Sequence, residues 1–439
     1  VDRFYPEVKA IRNISKKWFI KNYSVSKLEF NGKYPFVMQF TTRKVLDQSL
    51  STRSDSLSNL NLKLVNRYKS GLGLRYLDSY LQDSVIPESL AEFYREHHSR
   101  ISKSKAFEEI VRSKTDKDVN WFFGDYVNTT KKIDYTITKT ERKEDSVDVV
   151  IRNITRYSVP FTLYGLDRDE VKFKKWMEGI EELDTLTLPS EGIDRLSLNY
   201  EFLYPENNLR NNWKKLDKAL FNRPLKFRFY RDIEDPYYNQ VFYMPVINFN
   251  IYDGFTPGIR LTNKTLLQRP FLFDVAPQYA LRENSLVGSG TLRYQHYHGK
   301  SGFYVTNYAL RGSTFHFQTN SRYSTITPSV SFGWRPDDLI PNIRSSLLFR
   351  YVNVFRTIDP ALGDLETDPD YSVFNARYSY LSNNIINYFS WFADAQHSAD
   401  FTKLALTVDY RRLMINNQQI NLRFFGGVFL RNNTNSDFF

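Results

Sequence analysis

The chain of 439 residues has no cysteine. Disulfides, thiolate metal sites and cysteine nucleophiles are excluded, so stability outside the cytoplasm would rest on core size. A run of about eighteen apolar residues is also missing, which removes a transmembrane helix. It does not remove a transmembrane β-barrel, whose strands need only alternate apolar residues. There is no Gly-rich phosphate loop and no Gly-x-Ser-x-Gly nucleophile setting. Basic residues exceed acidic ones by 60 to 49, a net charge of +11. They are spread along the chain, often between aromatics, without the compact basic motif that nucleic-acid recognition uses. Nucleic acid is therefore not expected as a partner.

Aromatic residues are plentiful. The chain holds 35 Phe and 30 Tyr, concentrated in its second half, yet mean hydropathy is −0.50. Outer-membrane barrels place such residues at both membrane–water interfaces.

Residues 1–130 read as helical. Leu60, Leu64, Leu72, Leu74, Leu77 and Leu81 recur mainly at spacings of three and four, the mark of a buried helix face. Pro87 suits the first turn of a following helix, and Thr115-Asp116-Lys117-Asp118 suits the cap of another. Over 131–204 the period becomes two. Ile133, Tyr135, Ile137, then Val147, Val149, Ile151, Phe161-Thr162-Leu163-Tyr164, Leu186 and Leu188 predict a small β-sandwich. Residues 205–224 read as a polar connector, in which Leu216, Leu220 and Phe221 outline a short amphipathic helix.

From Leu225 to the end the alternation persists. Leu225, Phe227 and Phe229 alternate with Lys226 and Arg228; Leu404, Leu406, Val408 and Tyr410 alternate with Lys403, Thr407 and Asp409. Roughly ten strands of about ten residues fit tilted membrane crossings. Charges such as Lys403, Asp409 and Arg377 fall on the polar face; a basic charge on the lipid face costs about 2–4 kcal/mol at mid-bilayer. Connection lengths add to the case. Leu413 to Gln419 is tight, whereas Thr357 to Tyr371 is long and acidic, and barrels pair short turns at one end with long loops at the other. The expected fold is multidomain α+β: a helical segment, a small sandwich, then an antiparallel outer-membrane β-barrel over 225–439 with twelve or more strands. Val1-Asp2-Arg3-Phe4-Tyr5 shows no signal peptide, and Asn432-Asn433-Thr434-Asn435-Ser436-Asp437 reads as a loop tip. The chain is therefore expected to be a fragment cut at both ends.

The helical region resembles the zinc aminopeptidases of the aminopeptidase N type, the gluzincins, over residues 1 to about 135. Val1 to Tyr5 looks like the helix after the family's zinc-ligand segment. Arg67-Tyr68-Lys69-Ser70-Gly71-Leu72-Gly73-Leu74 is similar to its Tyr-x-Lys-Gly helix start, and Arg75 to Leu81 to the Leu-rich helix that follows. Asp118-Val119-Asn120-Trp121-Phe122-Phe123 looks like the end of its catalytic domain. The resemblance implies a zinc peptidase acting on peptides, with His-Glu-x-x-His supplying two ligands and a general base. That motif is absent here, so no metal ligand is expected within this chain, and zinc would be held by residues upstream. The resemblance also implies a Tyr that donates to the tetrahedral oxyanion. Aligned through Lys69, that position falls on Arg67, with Tyr68 adjacent and about 100° around the helix. This departure points to a degenerate enzyme, and an alignment slip restoring Tyr68 keeps an active one open.

Other groups have plainer readings. Glu96-His97-His98 reads as an exposed helix end, because adjacent His side chains diverge on a helix. His296 and His298 share a strand face but lack a third ligand nearby in sequence. The acidic turn Asp232-Ile233-Glu234-Asp235-Pro236 offers oxygen ligands without a calcium-loop pattern. The reading is therefore a metallopeptidase-like protein held in a bacterial outer membrane, with its N-terminal domains periplasmic or at the cell surface. It would contact lipid and envelope proteins, and peptide if active. Alternatives are an active tethered aminopeptidase and an outer-membrane pore or transporter.

Overall fold

The structure, a computed structural model, describes residues 9, 16–29, 32–82, 84–100, 103–168, 170–217, 222–299, 302–359 and 370–433. Val1 to Tyr5, Leu220, Phe221, most of the 357–371 loop and residues 434–437 lie outside them. Two compact units emerge: 1–226 with 234–239, and 227–233 with 240–439.

The first unit contains α1 (Ser24–Lys27), α2 (Lys33–Arg43), α3 (Asn66–Leu81), α4 (Val85–His97) and α5 (Ser104–Ser113). The helix expected from Leu60 to Leu81 is present as a π-helical turn, Asn61–Val65, running into α3. Its buried positions, Leu72, Gly73, Tyr76, Leu77, Tyr80 and Leu81, follow the helical period. Gly73 admits no side chain, since a Cβ there would meet the Tyr126 ring at 2.4 Å. Pro87 lies in the first turn of α4. Asp118 Oδ1 accepts the Asn120 N–H at 2.9 Å, at the start of a second π-helical segment, Trp121–Tyr126.

Two small sheets follow. β1 (Tyr135–Arg142), β2 (Ser146–Asn153) and β5 (Leu183–Pro189) form one, ordered β1-β2-β5. β3 (Phe161–Asp167), β4 (Glu170–Met177), β6 (Arg195–Leu198) and β7 (Trp213–Lys215) form the other, ordered β4-β3-β6-β7. Val147, Val149 and Ile151 of β2 meet Phe161 and Leu163 of β3 and Leu196 and Leu198 of β6 in one core. Tyr76, Leu77, Trp121 and Phe122 belong to that same core, so helices and sheets bury their apolar faces together. The stretch read as a connector contributes to this unit: Trp213–Lys215 is an edge strand, and Leu216 packs on the core.

The second unit is one sheet. β8 (Leu225–Phe229), β9 (Asn239–Asn250), β10 (Gly254–Thr262), β11 (Phe271–Ala280), β12 (Ser285–Tyr297), β13 (Phe303–Gln318), β14 (Ser321–Trp334), β15 (Ile343–Thr357), β16 (Tyr371–Asn383), β17 (Asn387–His397), β18 (Phe401–Leu413) and β19 (Gln419–Asn432) lie side by side in chain order. Twelve strands are present where the alternation outlined about ten. Among the described residues, the order ends at β8 and β19, with no pairing between them. β9 to β19 pair antiparallel as successive hairpins.

The hairpins correct the expected loop asymmetry. Connections 414–418 and 358–370 do lie at opposite ends of the strands. However, the end with 358–370 otherwise carries short turns, 251–253, 281–284, 319–320 and 398–400. The end with 414–418 mixes the longer 263–270 and 335–342 with the short 298–302 and 384–386. One tight and one long connection in the sequence were not representative of their ends.

Candidate functional site

Register assigns every side chain of the large sheet to a face, because residues paired across a ladder share one. Phe255, Ile259, Phe271, Leu292, Tyr308 and Phe349 fall on one face; Asn375, Arg377 and Asp394 fall on the other. The first face is apolar and open to the surroundings. Ile247 is 69% exposed and Leu286 69%. The second is more polar, and its part on β16 and β17 is enclosed: Asn375 is 1% exposed and Asp394 5%, whereas Arg311, Arg344 and Arg423 on the same face stay exposed. A water-soluble sheet hides its apolar face and wets its polar one, so the arrangement is inverted. Among the described residues of β9 to β19 the apolar face carries no Asp, Glu or Lys, and its Arg residues, Arg322, Arg412 and Arg431, sit at strand ends beside turns. A shallow groove of about 770 Å³ between Leu292, Tyr308, Leu310, Val330 and Phe349 opens on this same face.

The polar face is cross-linked. Asp394 accepts from Arg377 Nε at 2.6 Å, Asn375 Nδ2 at 2.9 Å and Gln396 Nε2 at 2.8 Å, and Arg350 Nε donates to Asn375 Oδ1 at 2.8 Å. Arg260 pairs with Asp274 through Nε at 2.6 Å. Arg423 reaches Asp409 at 3.8 Å. The charge-assisted bonds to Asp394 offset the cost of enclosing that carboxylate. The face also carries Arg293, Arg311, Arg344, Arg356, Lys403 and Arg411.

The sequence-derived site residues lie in the first turn of α3. Arg67 is exposed, and the Tyr68 ring meets Tyr34 edge-on at 4.4 Å. Lys69 points the other way. Its buried Nζ donates to the Thr129 carbonyl at 2.9 Å and the Gln48 carbonyl at 3.4 Å, and burial lowers its pKa. Tyr126 Oη donates to the Lys69 carbonyl at 2.9 Å. Lys69 thus pins the start of α3 to its neighbours.

Among the described residues, no group of three or more His, Cys, Asp or Glu side chains could hold a metal. His97 closes α4 and stacks on Phe93, and exposed His98 lies beside the Tyr94 ring. The His296 and His298 rings are 4.5 Å apart, but His298 Nε2 contacts Thr306 Oγ1 at 2.9 Å. In the acidic turn, Glu234 binds Arg43 at 2.6 Å and Asp235 binds Lys226 at 2.8 Å, so both carboxylates are spent on ion pairs.

One buried carboxylate escaped the sequence reading. Glu206, taken as part of a polar connector, is enclosed by the first unit. It accepts from Asn212 Nδ2 at 2.5 Å, the Tyr135 N–H at 2.9 Å and Asn199 Nδ2 at 3.3 Å. Burial pushes its pKa up to about 8, against those donors, with Asp134 adding repulsion. Burial likewise raises Asp134 to about 6. The neighbouring amides, Asn207, Asn208, Asn211 and Asn212, were the available signal, because a sheltered carboxylate needs such donors.

No protein-family model and no curated protein matches the chain. Among solved structures, it is similar to aminopeptidase A of Legionella pneumophila, crystallised with aspartic acid, at 16% identity and a TM-score of 0.30. The match covers 40% of this chain and 23% of that one, so the chain spans about a quarter of that protein.

Proposed function

We propose that the chain belongs to an outer-membrane protein in which the twelve-stranded sheet is the wall of a β-barrel and the first unit is a metallopeptidase-like module that has lost catalysis and serves as an accessory subunit of an envelope complex. The inverted sheet carries the membrane part of this reading. Exposed Ile247 and Leu286 on one face, with buried Asn375 and Asp394 on the other, suit lipid outside and polar atoms within. The module's degeneracy rests on the family resemblance: the position of the oxyanion-binding Tyr falls on Arg67, whose side chain is exposed. The reading assigns zinc to no residue of this chain.

Two measurements test it. Expressed in a Gram-negative host, the full-length protein should fractionate with the outer membrane and need detergent to leave it. Its gel mobility should change on boiling, as a folded barrel opens. With added zinc, the purified protein should hydrolyse no aminoacyl reporter above background. A chain soluble without detergent would overturn the barrel. Zinc-dependent hydrolysis abolished by chelator would replace the accessory role with an active tethered aminopeptidase.

A further inference from the structure

The acids of the polar face are Asp274, Asp394 and Asp409, and each already has an arginine: Arg260, Arg377 and Arg423. The remaining basic residues of that face exceed what internal pairing uses. Arg293 on β12, Arg311 on β13, Arg344 and Arg350 on β15 and Arg411 on β18 face the same side as those acids and have no acid of that face as a partner, Arg350 donating instead to the neutral Asn375. Arg293 and Arg344 come from strands three apart in the order, yet both lie within electrostatic reach of Tyr297, as does Arg335. Cations gathered on a wall backed by an apolar layer repel one another through a poor dielectric. That repulsion is relieved when anions share the face, and such a wall concentrates them. The chemistry is also selective. These five are all arginine, and a guanidinium offers paired N–H donors that match the oxygens of phosphate and carboxylate.

We propose that the polar face is an anion-selective lining that takes small oxyanionic solutes, phosphate- or carboxylate-bearing, in preference to cations. This rests on the sheet being a membrane wall. Rings of Arg or Lys confer the same preference on anion and phosphate pores.

The test uses the full chain in planar bilayers of zwitterionic phosphatidylcholine, so that lipid supplies no net anionic headgroup. Under a potassium chloride gradient the reversal potential should lie toward chloride, and inorganic phosphate in the aqueous phase should reduce the chloride current. The combined variant R293E/R311E/R344E should move the reversal potential to the opposite sign. The neutral variant R311Q/R344Q, checked for folding by its gel shift on boiling, should move it part of the way. Cation preference in the unaltered protein, or a reversal potential that ignores both variants, would overturn the lining and leave the wall standing. So would an inserted, heat-modifiable protein that passes no current and gains no thermal stability from phosphate. If the vesicles are made with anionic lipid and only then does selectivity appear, the source is headgroup rather than wall, and the lining is overturned. A chain that never enters the bilayer fails the earlier reading instead.

Discussion

Glu206 holds together parts of the chain that composition places apart. Its carboxyl gathers Asn199, Asn212 and the backbone of Tyr135, while its carbonyl accepts Gln39 Nε2 at 3.1 Å. In an unfolded chain a Glu titrates near about 4.3; burial moves this one up to about 8. Folding thus tightens proton binding between those values. Its contribution to stability is fully present below the unfolded pKa and is lost as pH rises through the folded one. Asp134, raised to about 6, acts in the same direction over a lower window. Thermal unfolding of the first unit, followed by tryptophan fluorescence, should therefore shift to lower temperature between pH 5 and pH 9. Glu206→Gln should flatten that slope. A midpoint that rises with pH, or an unchanged slope in the variant, would contradict the assignment. The amides beside Glu206 in Pro205-Glu206-Asn207-Asn208 were a signal but not a decisive one, because a charged, amide-rich stretch looks the same whether it is solvated or enclosed. Arg67 and Tyr68, by contrast, fell within the helix that the spacing predicted from Leu60 to Leu81, and they lie on α3 just after the Asn61–Val65 turn.

At the scale of elements, period was the reliable signal. The spacing of Leu72, Leu77 and Leu81 set a helix, and the alternation through Leu404, Leu406 and Val408 set a strand, since each follows from which side chains must share a face. β7 was missed because three residues, Trp213–Lys215, are too few to show a period. Loop ends were misjudged because connection length depends on each hairpin separately. The two faces give a paired prediction on one strand. Leu292 and Thr291 are neighbours on β12 but lie on opposite faces. Leu292→Lys should lower the stability of the protein folded in bilayers by about 2–4 kcal/mol if it lies near the mid-plane, whereas Thr291→Lys should cost far less. Denaturant titration in lipid vesicles checks both. Equal costs, or a larger cost at Thr291, would mean that the faces are assigned the wrong way round.

The whole molecule combines two units built on opposite solvent logic. The first buries Tyr76, Leu77, Val149 and Phe161 in a conventional apolar core and keeps most charges outside. The second exposes Ile247, Leu286 and Leu422 and encloses Asn375, Asp394 and Thr407. Alternation alone left open whether the apolar side of the second unit met lipid or a dry core; the exposure of its large side chains is what favours lipid. The chain has no native cysteine, so a single engineered one can carry a spin label without background. The most direct test places that label in turn at each position from Leu404 to Tyr410 in reconstituted vesicles. Collision with oxygen, which dissolves in lipid, should be high at Leu404, Leu406, Val408 and Tyr410, and low at Ala405, Thr407 and Asp409. A water-soluble nickel chelate should show no access to the first set. Labels at Leu404, Leu406 and Val408 that met the nickel chelate, or that met neither reagent, would contradict a lipid-facing wall.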